Sequence, residues 1–91
     1  MAIHLTVSGC KLSSIALREF RAAAVELQHR VAFFEVDASA EPELLAALNI
    51  KAVPALLVFH SGTEQLALLG FYYKNELRER LLRSISTGEQ G

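Results

Sequence analysis

Asn49-Ile50-Lys51-Ala52-Val53-Pro54-Ala55-Leu56-Leu57-Val58-Phe59-His60-Ser61-Gly62 is the stretch whose reading decides the fold. The apolar residues Ala55 to Phe59 follow Pro54 without a break and stop at Ser61-Gly62. A run that short is not a buried helix; it predicts a strand covered on both faces. Pro54 has no N–H to give to a ladder, so it belongs at the first residue of a strand or in a turn. An X-Pro bond is also the one peptide bond with a substantial cis population, which makes Val53–Pro54 a candidate cis peptide.

Working back from this strand, Asn49 ends a short helix expected over about residues 41 to 48, because asparagine tolerates the left-handed conformation common at helix ends. Ser39 is its expected cap, with Pro42 also suited to the first turn. Val31 to Val36 is rich in aromatic and β-branched residues and predicts a strand. From about Leu12 to His29 the spacing is helical: Leu17, Phe20, Ala24 and Leu27 form one stripe, and Arg18, Glu19, Arg21 and Glu26 lie away from it. Ala2 to Val7 alternates as a strand with Ile3, Leu5 and Val7 on one face. Ser8-Gly9 breaks it, and Cys10 follows at once.

Working forward, Ser61-Gly62 predicts a tight turn, with Gln65 to Leu69 returning as an antiparallel partner. Gly70 interrupts the apolar run. A last helix over about residues 74 to 86 places Leu77, Leu81, Leu82 and Ile85 on one face, and Gly88 follows where helices commonly stop. Residues 87–91 are expected to fray.

The totals narrow the function classes. The chain has 91 residues, 52% of them hydrophobic, which is enough for the core of one small domain. Its formal charge of −1 gives no electrostatic case for nucleic acid or an acidic membrane surface. No apolar run approaches the length of a membrane span, and the N-terminus lacks the pattern of a signal peptide. A single cysteine excludes an internal disulfide and a multi-cysteine metal site. His4, His29 and His60 have no ligand spacing, so no metal is expected. The expected compartment is cytoplasmic.

The element order is β-α-β-α-β-β-α. Its first two strands form a right-handed parallel unit and its last two a hairpin, giving a four-stranded mixed sheet flanked by three helices, an α/β fold. From Asp37 to Leu82 this chain resembles the thioredoxin superfamily. The resemblance is carried by Val36-Asp37, Pro42-Glu43-Leu44, Asn49 to Pro54, Leu56 to Phe59, Gly62, Gly70 and the helix from Lys74 to Leu82. It implies a thioredoxin-like domain over residues 1–87, with residues 88–91 a flexible C-terminal tail. The chain is similar in form to short thioredoxin- or glutaredoxin-like proteins.

Members of that superfamily end the first strand in Cys-x-x-Cys. The matching run here is Gly9-Cys10-Lys11-Leu12-Ser13, so the motif is Cys-x-x-Ser, without the usual Trp before it or Pro within it. The resemblance places Cys10 at the nucleophile position and Ser13 at the resolving position. It matches Pro54 to the family's cis-proline, and makes Val53, Pro54 and Gly70 the substrate-binding residues. The implied partners are a protein or a low-molecular-weight thiol or disulfide, with no resident cofactor and with glutathione as a candidate co-substrate. The Gly-Gly-x-Asp feature common in glutaredoxins is absent, the stretch being Leu69-Gly70-Phe71-Tyr72.

The chemistry of these residues fits that placement. Thiolate is the reactive form of cysteine, and a helix N-terminus or a nearby cation favours it. Lys11 adds a charge next in sequence, and a Ser13 hydroxyl one turn on can donate to the thiolate. Serine cannot attack a mixed disulfide, so such a site needs a second thiol to release its substrate. The plainer alternatives are a Cys10 that packs as a small hydrophobe and a Ser13 that is an ordinary first-turn residue. Asp37 and Glu41 to Glu43 read as an acidic turn and helix start. Phe71-Tyr72-Tyr73 reads either as an exposed binding patch or as Phe71 packed in the core with the two tyrosines covering the helix start.

Three functions compete on the sequence. One is a monothiol thiol–disulfide oxidoreductase with Cys10 as nucleophile. Another is a non-catalytic thioredoxin-fold module that binds protein partners. The third is a cysteine modified by peroxide.

Overall fold

The computed structural model describes residues 1–50 and 52–90. Strand β1 (Ala2–Thr6) leads to helix α1 (Lys11–Leu27) and strand β2 (Phe33–Asp37). A 3-10 turn (Ala38–Ala40) and helix α2 (Pro42–Ala47) precede the hairpin of β3 (Ala55–His60) and β4 (Thr63–Leu69), and α3 (Lys74–Gln90) closes the chain. The strand order is β2-β1-β3-β4, with β1 parallel to β2 and the other pairs antiparallel. This is the expected thioredoxin-like architecture.

The strand after Pro54 is the centre of the molecule. Leu56 and Val58 join Ala2, Phe20, Ala23, Leu27, Leu68, Leu77 and Leu81 on the side of α1 and α3. Ala55 and Leu57 point the other way, with Leu5, onto Leu45, Leu48, Ile50 and Val53 around α2. Successive side chains of a strand alternate faces, so a strand buried on both sides must be apolar without interruption. The turn after it has Ser61 at φ 52° and Gly62 at φ 80°, the paired left-handed residues of a two-residue hairpin. Asn49 ends the α2 segment at φ 57°, as its residue type suggested.

Several boundaries differ from expectation. β2 covers Phe33–Asp37 rather than Val31–Val36, because α1 closes with the N–H groups of Arg30 and Val31 both donating to the Leu27 carbonyl. β2 is an edge strand, and Phe34 stays about half exposed. Ser39 does not cap α2. It lies in the 3-10 turn, itself capped by Asp37, and Glu41 occupies the N-cap with Pro42 in the first turn. α3 continues through Gly88 to Gln90, past the expected stop near residue 86. Glycine costs a helix about 1 kcal/mol relative to alanine, too little by itself to end one. Gly91 and Lys51 lie outside the described residues.

Candidate active site

The C-terminal end of β1 and the start of β3 meet at one pole of the sheet. Leu5 pairs with Ala55, so the same antiparallel register sets Pro54 beside Thr6, and Val7 to Gly9 carry the chain from there to Cys10. Gly9 has φ 82°, a backbone state open to glycine at little cost, and the Cys10 N–H donates to the Val7 carbonyl at 3.2 Å. This tight turn delivers Cys10 as the N-cap of α1, with extended backbone angles and partial exposure.

Two groups of the first helical turn act on the thiol. The backbone N–H of Ser13, followed by its hydroxyl, holds the Cys10 thiol below its ordinary pKa; burial opposes this and the Leu12 N–H adds to it. Donors aimed at sulfur stabilise the anion and leave the neutral thiol unaided. Ser13 itself is buried, and its Oγ accepts the Val7 N–H at 3.2 Å. A hydroxyl has one proton and two lone pairs, so accepting from Val7 leaves its proton available to the thiolate. Lys11, read from the sequence as a nearby cation, is exposed to solvent.

Across the pole, the Val53–Pro54 peptide is cis. Pro54 is buried, and its carbonyl accepts the Gly70 N–H at 2.7 Å, which extends the β3–β4 ladder by one bond beyond Ala55 and Leu69. Gly70 has φ 98° with open space where a side chain would stand. Val53 packs its side chain into the α2-side core. The five residues singled out from the sequence, Cys10, Ser13, Val53, Pro54 and Gly70, therefore lie at one end of the sheet.

The surroundings are open and partly apolar. Leu12 and Leu69 are half exposed and Tyr73 more so. Phe71 and Tyr73 meet edge to face at 4.7 Å, whereas Tyr72 packs against the core. It is Tyr72, rather than the expected Phe71, that joins the core, and Tyr73 stays exposed. A cavity of about 140 Å³ lies at the opposite pole, lined by Met1, His60 and Ser84 among others. It belongs to a different part of the sheet from the thiol.

Two residues near the site carry contacts that the sequence did not announce. Asp37 ends β2 beside Thr6 and accepts the Ser8 hydroxyl, which ties the loop before Cys10 to the neighbouring strand. His4, within β1, turns a buried ring to the α1 side of the sheet, stacked on Phe20 at 4.6 Å with its Nδ1 unpartnered, and burial pushes its pKa down to about 4. Strand periodicity signals that His4 alternates with Ile3 and Leu5; it gives no sign that the second face is equally covered.

Comparison with known proteins follows the same lines. The family model described as Thioredoxin matches residues 9–83. Among curated proteins none matches the chain in sequence. Chloroplastic thioredoxin z superposes with a TM-score of 0.79 at 22% identity, covering 99% of this chain and 78% of that one. Thioredoxin-2 of the malaria parasite gives 0.85 at 15% identity, over 90% of this chain and 80% of that one. A thioredoxin from Trypanosoma brucei brucei gives 0.83 at 22% identity, over 93% and 74% respectively.

Proposed function

This chain belongs to the thioredoxin family, a family of thiol–disulfide oxidoreductases, and from that premise we propose that it is a monothiol member that works through Cys10. The observation that carries the reading is the placement of Cys10, partly exposed, as the N-cap of α1 at the pole of the sheet where Pro54 lies, with Ser13 in the first turn holding its thiol below the ordinary pKa. The Cys10 thiolate attacks one sulfur of a substrate disulfide, the other sulfur leaves as a thiolate, and a mixed disulfide forms. Ser13 cannot attack that bond. A second thiol, of which glutathione is the abundant cytoplasmic example, takes up the substrate sulfur in a new disulfide and expels Cys10 as thiolate.

In this reading Val53, Pro54 and Gly70 form the platform against which the substrate chain lies. The open pole suits a protein substrate better than an enclosed small molecule, since small ligands favour concave sites. The reducing cytoplasm is the matching compartment, because the cycle consumes thiols.

The test is capture. Incubated with a disulfide-containing protein, the chain should accumulate a mixed disulfide that added glutathione discharges, and Cys10→Ser should abolish it. A binding module without turnover predicts the opposite, with partner capture surviving Cys10→Ser.

A further inference from the structure

We infer that Asp37 is a positioning residue for the Cys10 thiol, holding the Ser8–Gly9 loop so that Cys10 is set as the N-cap of α1, one turn from Ser13. The inference rests on the reading of Cys10 as a nucleophile. Its basis is the contact between Asp37 and Ser8, which joins two elements separated by the whole of α1.

The loop from Val7 to Gly9 lies outside the ladder, since β1 stops at Thr6. It must turn sharply at Gly9, and the bond from Cys10 N–H to Val7 O closes that turn without fixing its direction. Two outside contacts supply the direction. On the inner side the Val7 N–H donates to the buried Ser13 Oγ at 3.2 Å. On the outer side the Ser8 hydroxyl donates to Asp37 Oδ2.

Asp37 is a firm anchor. Its other oxygen, Oδ1, accepts the Ser39 N–H at 3.0 Å and the Ser39 hydroxyl at 2.5 Å, and its backbone is paired opposite Thr6 in the parallel ladder. The carboxylate cannot swing away without breaking the 3-10 turn that it caps. The hydroxyl of Ser39, then that of Ser8, push its pKa down to about 2, so the anchor stays anionic throughout the range in which thiols react. Capping the 3-10 turn needs only Oδ1. The bond to Ser8 through Oδ2 is surplus to that task.

Ser8→Ala in the full chain tests this, with Ser39→Ala as the comparator. Two quantities are read: the pH profile of Cys10 alkylation by iodoacetamide, and hydrogen exchange at the Gly9 and Cys10 amides. Ser8→Ala should move the alkylation midpoint toward that of free cysteine and slow the reaction at pH 7 by about threefold, the effect of roughly half a pKa unit. It should also speed exchange at Cys10. Ser39→Ala should leave both near wild type, because the Ser39 N–H still holds Oδ1. A Ser8→Ala chain that alkylates and exchanges like wild type overturns the inference. If wild-type Cys10 itself titrates as free cysteine, the nucleophile reading fails, and unchanged exchange in Ser8→Ala then overturns the loop anchor separately.

Discussion

The Ser13 Oγ accepts the N–H of Val7 at 3.2 Å, and the N–H and hydroxyl of the same residue hold the Cys10 thiol below its ordinary pKa. One buried serine therefore serves the reacting atom and the loop that carries it. Ser13→Ala should raise the Cys10 pKa and slow alkylation at pH 7. It should also cost about 1–2 kcal/mol in urea unfolding, since the Val7 N–H loses its partner. Loss of stability with an unchanged alkylation profile would reduce Ser13 to a structural role.

Ser13→Cys restores the second thiol of the family motif. Residues at i and i+3 of a helix have Cβ atoms about 5–6 Å apart, within reach of a disulfide after small adjustment. The variant should form an intramolecular disulfide after reacting with substrate and turn over with a dithiol reductant in the absence of glutathione. Persistent mixed disulfide in Ser13→Cys would mean that the buried position cannot reach the bond.

The first turn of α3 is capped from another element. Glu19 Oε1, on α1, accepts the Lys74 N–H at 2.8 Å, satisfying a helix-start donor that no neighbour in sequence serves. Glu19→Ala should destabilise the chain by about 1 kcal/mol, the usual worth of a cap. Arg21→Ala, by contrast, removes an exposed pair with Glu35 and should cost about 0–1 kcal/mol, with the smaller value at high salt. Equilibrium unfolding of the two variants side by side decides between them.

Burial of His4 makes stability depend on pH in a window of its own. The folded chain holds its pKa down to about 4 against 6.5 for the exposed ring, so between those values the unfolded chain binds the extra proton. His4 thus leaves stability undiminished above pH 6.5, lowers it as pH falls toward 4, and has no further effect below that. The full span is on the order of 3 kcal/mol. Carboxylates with lowered pKa values, Asp37, Glu26 and Glu35, act only from about their ordinary values of 3.8 to 4.5 downward. Unfolding measured between pH 5 and 6.5 therefore isolates the histidine, and His4→Leu should flatten the slope there.

What the sequence revealed depended on how local the cause was. Pro54 with its apolar run, Asn49 at a helix end and Ser61-Gly62 at a turn each act through their own backbone or an immediate face, and each was legible. Glu19 on Lys74 and Asp37 on Ser8 join residues far apart in the chain, so no periodicity points to them. Ser39 misled for a related reason. Serine before a helix reads as a cap, but here an aspartate two residues earlier takes its N–H and hydroxyl into a 3-10 turn first. The positions of the site residues followed from family resemblance rather than from composition. The double use of Ser13 needed coordinates.

The pH dependence of Cys10 alkylation by iodoacetamide tests the central claim most directly, because the chain has no other cysteine to confuse the signal. The account predicts a midpoint clearly below the value of about 8.5 for a free thiol, and a rate at pH 7 above that of free cysteine corrected for its nucleophilicity. A midpoint at or above that of free cysteine, with no excess rate at pH 7, would contradict it.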